Sequence, residues 1–350
     1  MPRLNIEPPV LNSANPWCTT LEQLEELYNC PHTGAITTRT SLLDGYPDDP
    51  LHHQYAFFNP TNLAASPPNT DSSTTTIDAT KTASLNTLGY SPLPLSDYLR
   101  FVEQISDKLK AHHPSSSSHK PIILSVTGTA PEITQCYRLI ATLQPRVLMP
   151  LAMEINLSCP NIPGHPPPAY NSSALSTYLS ALNTELGGSD PETIAIGIKT
   201  PPYTYADQFT ALVNAIMSSL VDKKGKKRTP VSFITATNTL GECMLLDSGT
   251  PTVTNSRFKH TLMSTAGSGI GGLGGAPLHP LALGNVYEIK RRLLQHEELI
   301  NIQIIGTGGV EDSEGFGRMR AVGASAVGVG TAFGRKGVVV FEEIGKDGWD

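Results

Sequence analysis

Short apolar runs rich in β-branched residues alternate along the chain with longer stretches whose apolar positions recur at three- and four-residue spacing. Residues 122–126, 153–157, 194–199, 231–236, 302–305 and 325–329 read as strands buried on both faces, as in a parallel sheet. Residues 20–28, 96–111, 130–143, 172–186, 205–220, 280–295 and 312–322 read as helices, with Thr20 and Ser96 as capping candidates. Strands interleaved with helices in this way predict an α/β chain built on a parallel sheet, open or closed.

Two stretches interrupt that rhythm. Residues 59–82, rich in Pro, Thr, Ser and Asn, predict a surface excursion from a single domain spanning residues 1–350. Residues 114–119, with four serines, read as a lengthened helix-to-strand connection, and the basic residues within 223–228 read as a solvated turn.

Composition narrows the partners. A net charge of −6 and a pI near 5.9 supply no basic field for nucleic acid. No run reaches the roughly 18 apolar residues of a membrane span, so small molecules are the expected partners and no membrane is. The first sixteen residues lack a signal pattern, which makes the cytoplasm the expected location. The five cysteines are widely spaced with no Cys-x-x-Cys pair, so reduced thiols are expected and no metal.

Chemistry concentrates after the second of those strands, in Glu154-Ile155-Asn156-Leu157-Ser158-Cys159-Pro160-Asn161-Ile162-Pro163-Gly164. Asn156 and Asn161 each offer donors and an acceptor, which suits a planar ligand with alternating C=O and N–H groups. Cys159 can serve as base or nucleophile if a neighbouring charge lowers its pKa. Taken alone, the segment is equally a polar turn around an inert thiol. Two strands run into glycine turns at Thr307-Gly308-Gly309 and Gly330-Thr331, where backbone N–H groups can hold a phosphate. The run 269–275, with Gly271 and Gly272, reads by default as a flexible loop that could add donors. Lys199 ends a strand, where burial needs a partner or a task. Asn86 and Asn238, each close to a glycine, are turn formers by default.

The string Asn156-Leu157-Ser158-Cys159-Pro160-Asn161, followed by Pro163-Gly164 and Ala169-Tyr170, resembles the active-site loop of class 1A dihydroorotate dehydrogenases. The resemblance extends through residues 11–14, 34–41, 85–90, 197–203, 237–241, 271–275, 305–309 and 328–331. It implies a (β/α)8 TIM barrel that binds FMN, with the phosphate at the seventh and eighth strands. The implied reaction oxidises (S)-dihydroorotate to orotate with fumarate as electron acceptor, in pyrimidine (UMP) biosynthesis. By resemblance Cys159 is the base, and Lys199 stabilises charge at the N1–C2=O edge of reduced FMN. Arg39, Asn86, Leu88, Gly89, Tyr90, Asn156, Asn161, Asn238 and Thr239 are expected around the substrate. Ser13, Ala14, Arg39, Asn86, Asn156, Lys199, Gly271, Gly272, Thr307, Gly308, Gly309, Gly330 and Thr331 are expected around the flavin. A homodimer without a second kind of subunit is the implied assembly.

Three departures from the family pattern stand out. Arg39 occupies the place of a lysine, and its planar fork is not an equivalent donor. Asn15 stands where glycine is usual and would crowd a flavin, and the last barrel helix is expected to be short. Two alternatives follow: an FMN barrel acting on another dihydropyrimidine or an enone, or a flavin-binding paralogue without catalysis. A nicotinamide-dependent open sheet is disfavoured, because the N-terminal third has no Gly-x-Gly-x-x-Gly.

Overall fold

The structure is a computed structural model that describes residues 2–112, 119–159, 161, 167–187, 194–223, 225–248 and 258–349. Most of the serine-rich connection at 114–119, and Pro160, Pro163 and Gly164 of the Cys159 segment, lie outside the described residues. In chain order the strands are β1 (Val10–Asn12), β2 (Ile36–Thr37), β3 (Tyr55–Phe58), β4 (Ala83–Asn86), β5 (Ile122–Val126), β6 (Leu151–Asn156), β7 (Ala195–Thr200), β8 (Val221–Lys223), β9 (Lys226–Arg228), β10 (Phe233–Ala236), β11 (Leu240–Cys243), β12 (Leu246–Ser248), β13 (Phe258–His260), β14 (Gly271–Gly275), β15 (Gln303–Thr307) and β16 (Ala326–Val329). The helices are α1 (Leu21–Asn29), α2 (Leu95–His112), α3 (Ala130–Leu143), α4 (Ser172–Leu186), α5 (Ala206–Ser218), α6 (His279–Leu293), α7 (Ser313–Ala321), α8 (Thr331–Lys336) and α9 (Val339–Gly345).

Eight strands pair in parallel in the order β1-β16-β15-β10-β7-β6-β5-β2. A parallel bridge between Leu11 and Ala35 brings the two ends together, so the sheet closes into a (β/α)8 barrel. The closing strands are only three and two residues long, and a side chain completes their seam. Asn12 donates from Nδ2 to the Thr37 carbonyl (2.7 Å) and accepts from the Thr37 N–H at Oδ1 (2.9 Å), which mimics a pair of ladder hydrogen bonds. No helix among the described residues is long and apolar enough to cross a membrane.

The two-residue period of the strands sorts side chains between the lumen and the helices. Leu11, Ile123, Ala152, Ala195, Phe233, Ile305 and Ala326 form an apolar lumen floor together with Leu4. Gly197 leaves room for the Phe233 ring, whose nearest atom would lie 2.1 Å from an added Cβ. Two residues further along, the same parity brings in Ser125, Glu154 and Thr235, and at the next step Asn156, Lys199 and Thr237. The lumen therefore turns from apolar to polar towards the C-terminal ends of the strands. Outside it, the apolar faces of the helices and the outward strand residues form one continuous core.

Helix starts follow capping chemistry. Thr20 accepts from the Gln23 N–H while Gln23 Oε1 accepts from the Thr20 N–H, a reciprocal cap for α1. Ser96, expected as a cap, instead lies inside the first turn of α2. The closing segment is two short helices, α8 and α9, separated by Gly337 in the left-handed region (φ 67°).

One expectation changes and two gain detail. The glycine-rich run 269–275 is no loop: β14 pairs antiparallel with β4 and β11 in a four-stranded sheet, β11-β14-β4-β3, over one side of the barrel mouth. Glycine is needed there for close approach, since a Cβ at Gly272 would fall 2.2 Å from Thr239 Oγ1. Of the basic segment, Lys223 and Lys226–Arg228 belong to a hairpin of β8 and β9, with 225–228 exposed as a solvated segment would be. Residues 59–82 connect β3 to β4, mostly exposed, and are tied down at intervals, as by Arg335 Nη1 donating to the Ala79 carbonyl (3.0 Å).

Candidate active site

The C-terminal ends of the barrel strands and the antiparallel sheet enclose a cleft of about 1040 Å³, open mouth included. β1 leads into Ser13 and Ala14, β2 into Arg39 and Thr40, β6 into Asn156 and Cys159, and β7 contributes Lys199. β10 leads into Thr237, Asn238 and Thr239, β15 into the turn at 307–309, and β16 into Gly330 and Thr331. From the antiparallel sheet come Tyr55, Ser84, Asn86, Gly274 and Gly275.

Four asparagines form a linked set, and their mutual bonds decide what each can still offer. Asn161 donates from Nδ2 to Asn86 Oδ1 and to the Leu88 carbonyl, both at 2.9 Å, and its Oδ1 is buried without a partner. Asn86 donates one N–H to the Gly272 carbonyl (3.1 Å), which leaves it one donor. Asn156 donates one N–H to Thr40 Oγ1 (3.0 Å), and its Oδ1 accepts from Ser158 Oγ (3.0 Å) and Asn238 Nδ2 (3.2 Å). Asn238 spends its remaining N–H on Ser158 Oγ (3.0 Å), and its Oδ1 accepts from the Thr239 N–H (2.8 Å). The unused capacity is two donors, on Asn86 and Asn156, and two acceptors, on Asn161 and Asn238.

The cleft is electropositive. Its lining contains Arg39 and Lys199 but no Asp or Glu among the described residues. Lys199 is buried, and Arg39 Nη2 is buried with no partner. Burial pulls the Arg39 guanidinium below its ordinary pKa, partly offset by Tyr98 and Asp48. A buried and a partly buried cation facing one cavity are stabilised by an anionic ligand. Burial pushes the Cys159 thiol above its ordinary pKa, opposed by the Asn161 backbone N–H, the Tyr90 hydroxyl and the Lys199 charge.

At the other end, Gly308 and Gly309 have positive φ (144° and 68°), and a Cβ on Gly309 would lie 2.7 Å from the Gly275 carbonyl oxygen. His279 Nδ1 donates to the Gly308 carbonyl (2.7 Å), so Nε2 is the acceptor for Arg318 Nε (3.4 Å). A trans peptide holds its C=O and N–H on opposite sides, so this bond aims the Gly309 N–H away from His279. Ser84 Oγ and Thr331 Oγ1 share a hydrogen bond of 2.7 Å, and Thr307 Oγ1 is buried without a partner. Left-handed glycines beside the unpartnered Thr307 hydroxyl make a cradle for a phosphate.

The model of the dihydroorotate dehydrogenase family matches residues 65–347. The chain belongs to the dihydroorotate dehydrogenase family. It is thereby an oxidoreductase of a generally flavin-dependent family whose reaction oxidises dihydroorotate. Among curated relatives, a Streptococcus pyogenes (serotype M5, strain Manfredo) protein named by inference dihydroorotate dehydrogenase A (fumarate) is 28% identical over 341 residues, 97% of this chain and 87% of its own. A Streptococcus uberis protein of the same name is 28% identical over 343 residues, with 97% and 88% covered. In fold, the chain is similar to the crystal structure of ligand-free DHODH from Eimeria tenella: TM-score 0.65, 16% identity, 96% of this chain and 82% of that one covered.

Within this dihydroorotate dehydrogenase family member, the cleft gathers nearly all residues singled out from sequence: Ser13, Ala14, Arg39, Asn86, Leu88, Gly89, Tyr90, Asn156, Cys159, Asn161, Lys199, Asn238, Thr239, Thr307, Gly308, Gly309, Gly330 and Thr331. Gly271 and Gly272 are not among its lining; they serve the β14 pairing, and Gly274 and Gly275 line the cleft instead. Asn15 does line it, but its side chain is turned into its own loop, accepting from the Trp17 N–H (2.9 Å) and donating to the Ser13 carbonyl (2.7 Å). Sequence reasoning passed over Trp17, Tyr55, Thr40, Ser84 and His279. Trp17 packs against Tyr55 (5.2 Å between ring centroids) and Phe57 (5.6 Å), giving the cleft an aromatic wall. The Asn15-Pro16 pair ahead of Trp17 is a capping signal that marks this loop as ordered.

Proposed function

We propose that this chain oxidises (S)-dihydroorotate to orotate with a bound FMN, passes the electrons to fumarate, and acts in cytoplasmic pyrimidine biosynthesis. The observation that carries the reading is the asparagine set. A pyrimidinedione ring presents two N–H groups and two carbonyls, and the set has two acceptors and two donors to spare. The carboxylate of the substrate then meets Arg39 or Lys199, which removes the cost of burying an unpaired cation.

The glycine cradle, the unpartnered Thr307 hydroxyl and Lys199 fit FMN: 307–309 with 330–331 would hold its phosphate, and Lys199 the ring edge that gains negative charge on reduction. FMN supplies the acceptor for the hydride leaving C6 of the substrate. Cys159, as thiolate, removes the C5 proton. Tyr90 and Lys199 favour the thiolate against the burial that disfavours it. The asparagines orient the ring so that both bonds lie near their acceptors, the entropic share of the rate. Fumarate, a dicarboxylate, suits the same two cations, and the Cys159 thiol returns the proton to it.

The fumarate-type names of the relatives support the acceptor, and a homodimer is the assembly this reading carries. Calorimetric titration with orotate and with uracil, which keeps the ring but lacks the carboxylate, tests the reading. Orotate binds more tightly, and Arg39→Gln narrows the difference; equal affinity for both ligands overturns the assignment of the cations.

A further inference from the structure

Among the described residues, Glu154 is the acidic residue of the lumen, buried one step below the cleft, where β6 pairs with β7 so that Glu154 faces Gly197 and Asn156 faces Lys199. It does not line the cleft. Its two carboxylate oxygens have separate donors: Ser125 Oγ to Oε1 (3.1 Å) and Thr235 Oγ1 to Oε2 (2.6 Å).

A carboxylate accepts and cannot donate, and a serine hydroxyl has one proton. With that proton given to Glu154, Ser125 Oγ must act as acceptor in its 2.9 Å contact with Thr40 Oγ1. Thr40 has then used its own proton and can only accept at 3.0 Å from Asn156, so the nitrogen of that amide faces Thr40. The amide oxygen is thereby turned to Ser158 and Asn238, and the second N–H is what remains for a ligand. We propose that Glu154 is a positioning residue: by taking the Ser125 proton it sets the direction of the Ser125–Thr40 chain and fixes Asn156 as a hydrogen-bond donor to the cleft. Without the carboxylate, Ser125 and Thr40 can both reverse, and the flipped Asn156 amide gains a donor in Thr40, so that only the weaker hold of the Ser158 N–H (3.3 Å) and of Asn238 on Oδ1 (3.2 Å) still favours the donor form. The consequence for a pyrimidine carbonyl rests on the proposed dihydroorotate chemistry; the orientation of the amide does not.

The test uses the 15N-labelled full-length protein as isolated, with no pyrimidine added. The side-chain NH2 pair of Asn156 is assigned by its loss in Asn156→Ala. Glu154→Met, of similar volume and without acceptors, and Ser125→Ala, which cuts the chain but keeps the acid, are compared with wild type. The Asn156 pair is expected to move in each variant that folds, whereas an unmoved pair in either folded variant overturns the proposal. Orotate titration then reads the consequence. Ser125→Ala weakens orotate about five- to tenfold, and in an Asn156→Ala background it changes affinity by no more than about twofold. Equal losses in the two backgrounds mean a general structural role and overturn it as well. A wild-type protein that ignores orotate contradicts the proposed function, while the amide signal still decides the role of Glu154.

Discussion

Asn161 and Asn86 hold each other across the mouth of the barrel, Nδ2 to Oδ1 at 2.9 Å, and this contact leaves Asn161 Oδ1 as a buried acceptor without a donor. An N–H of the substrate ring satisfies that acceptor if the asparagine set reads the pyrimidine. Asn161→Ala is expected to cost about 1–3 kcal/mol of orotate binding, roughly fivefold to 150-fold. Asn161→Asp should be worse than alanine, because its carboxylate would face Asn86 Oδ1 and the Leu88 carbonyl. Calorimetry on the two variants checks the order; a harmless Asn161→Asp would remove this contact from substrate recognition.

The Cys159 thiol is held above its ordinary pKa by burial, so little thiolate exists at neutral pH. The rate of flavin reduction by dihydroorotate is predicted to rise with pH through the ordinary thiol range and beyond it. Tyr90→Phe removes a hydrogen bond that favours the thiolate and shifts the rising limb to higher pH. Cys159→Ser keeps the flavin but slows reduction by about 10²- to 10⁴-fold. Stopped-flow traces across pH decide, and a pH-independent rate in the wild type speaks against thiolate as the base.

His279 reaches the cofactor cradle only through the Gly308 carbonyl, which it holds at 2.7 Å. His279→Ala frees that peptide to rotate and is expected to weaken flavin binding about tenfold, the loss of one buried hydrogen bond. Release of flavin into an ultrafiltrate measures it. Unchanged retention would mean that the turn at 307–309 is held by its glycine backbone alone.

Asn12 stands in for backbone between β1 and β2, with hydrogen bonds of 2.7 and 2.9 Å to Thr37. Asn12→Ala strands the Thr37 N–H and carbonyl at the seam, at a cost of about 2–4 kcal/mol. Asn12→Asp does not restore stability, since it keeps the acceptor, loses the donor and buries a charge. Urea midpoints report both; an unchanged midpoint in Asn12→Ala would show that the seam does not depend on this residue.

Six of the eight barrel strands are legible in the sequence because a strand buried on both faces is a continuous apolar run, as in Ile122–Val126. β1 and β2 are too short to show any period, and what closes them is the Asn12 side chain of β1 meeting Thr37 of β2, 25 residues on. β14 is hidden for a different reason: its glycines carry no pattern, and the need for them lies in contacts with Asn86 and Thr239 that only the fold creates. Asn86 and Asn238 stand out only through the family resemblance, whereas Asn156, Asn161 and Cys159 are readable from their motif. Trp17, Tyr55 and His279 are not, since their part in the site depends on partners tens to hundreds of positions away, as Trp17 on Phe57 or Thr40 on Asn156.

Whether the cleft oxidises dihydroorotate through a bound flavin is read most directly by anaerobic mixing of the purified protein with dihydroorotate, following the visible flavin absorption, and then addition of fumarate. The band is expected to bleach with dihydroorotate and to return with fumarate. A flavin that stays oxidised with dihydroorotate but bleaches with dihydrouracil would contradict this assignment and move the substrate to a ring without a carboxylate.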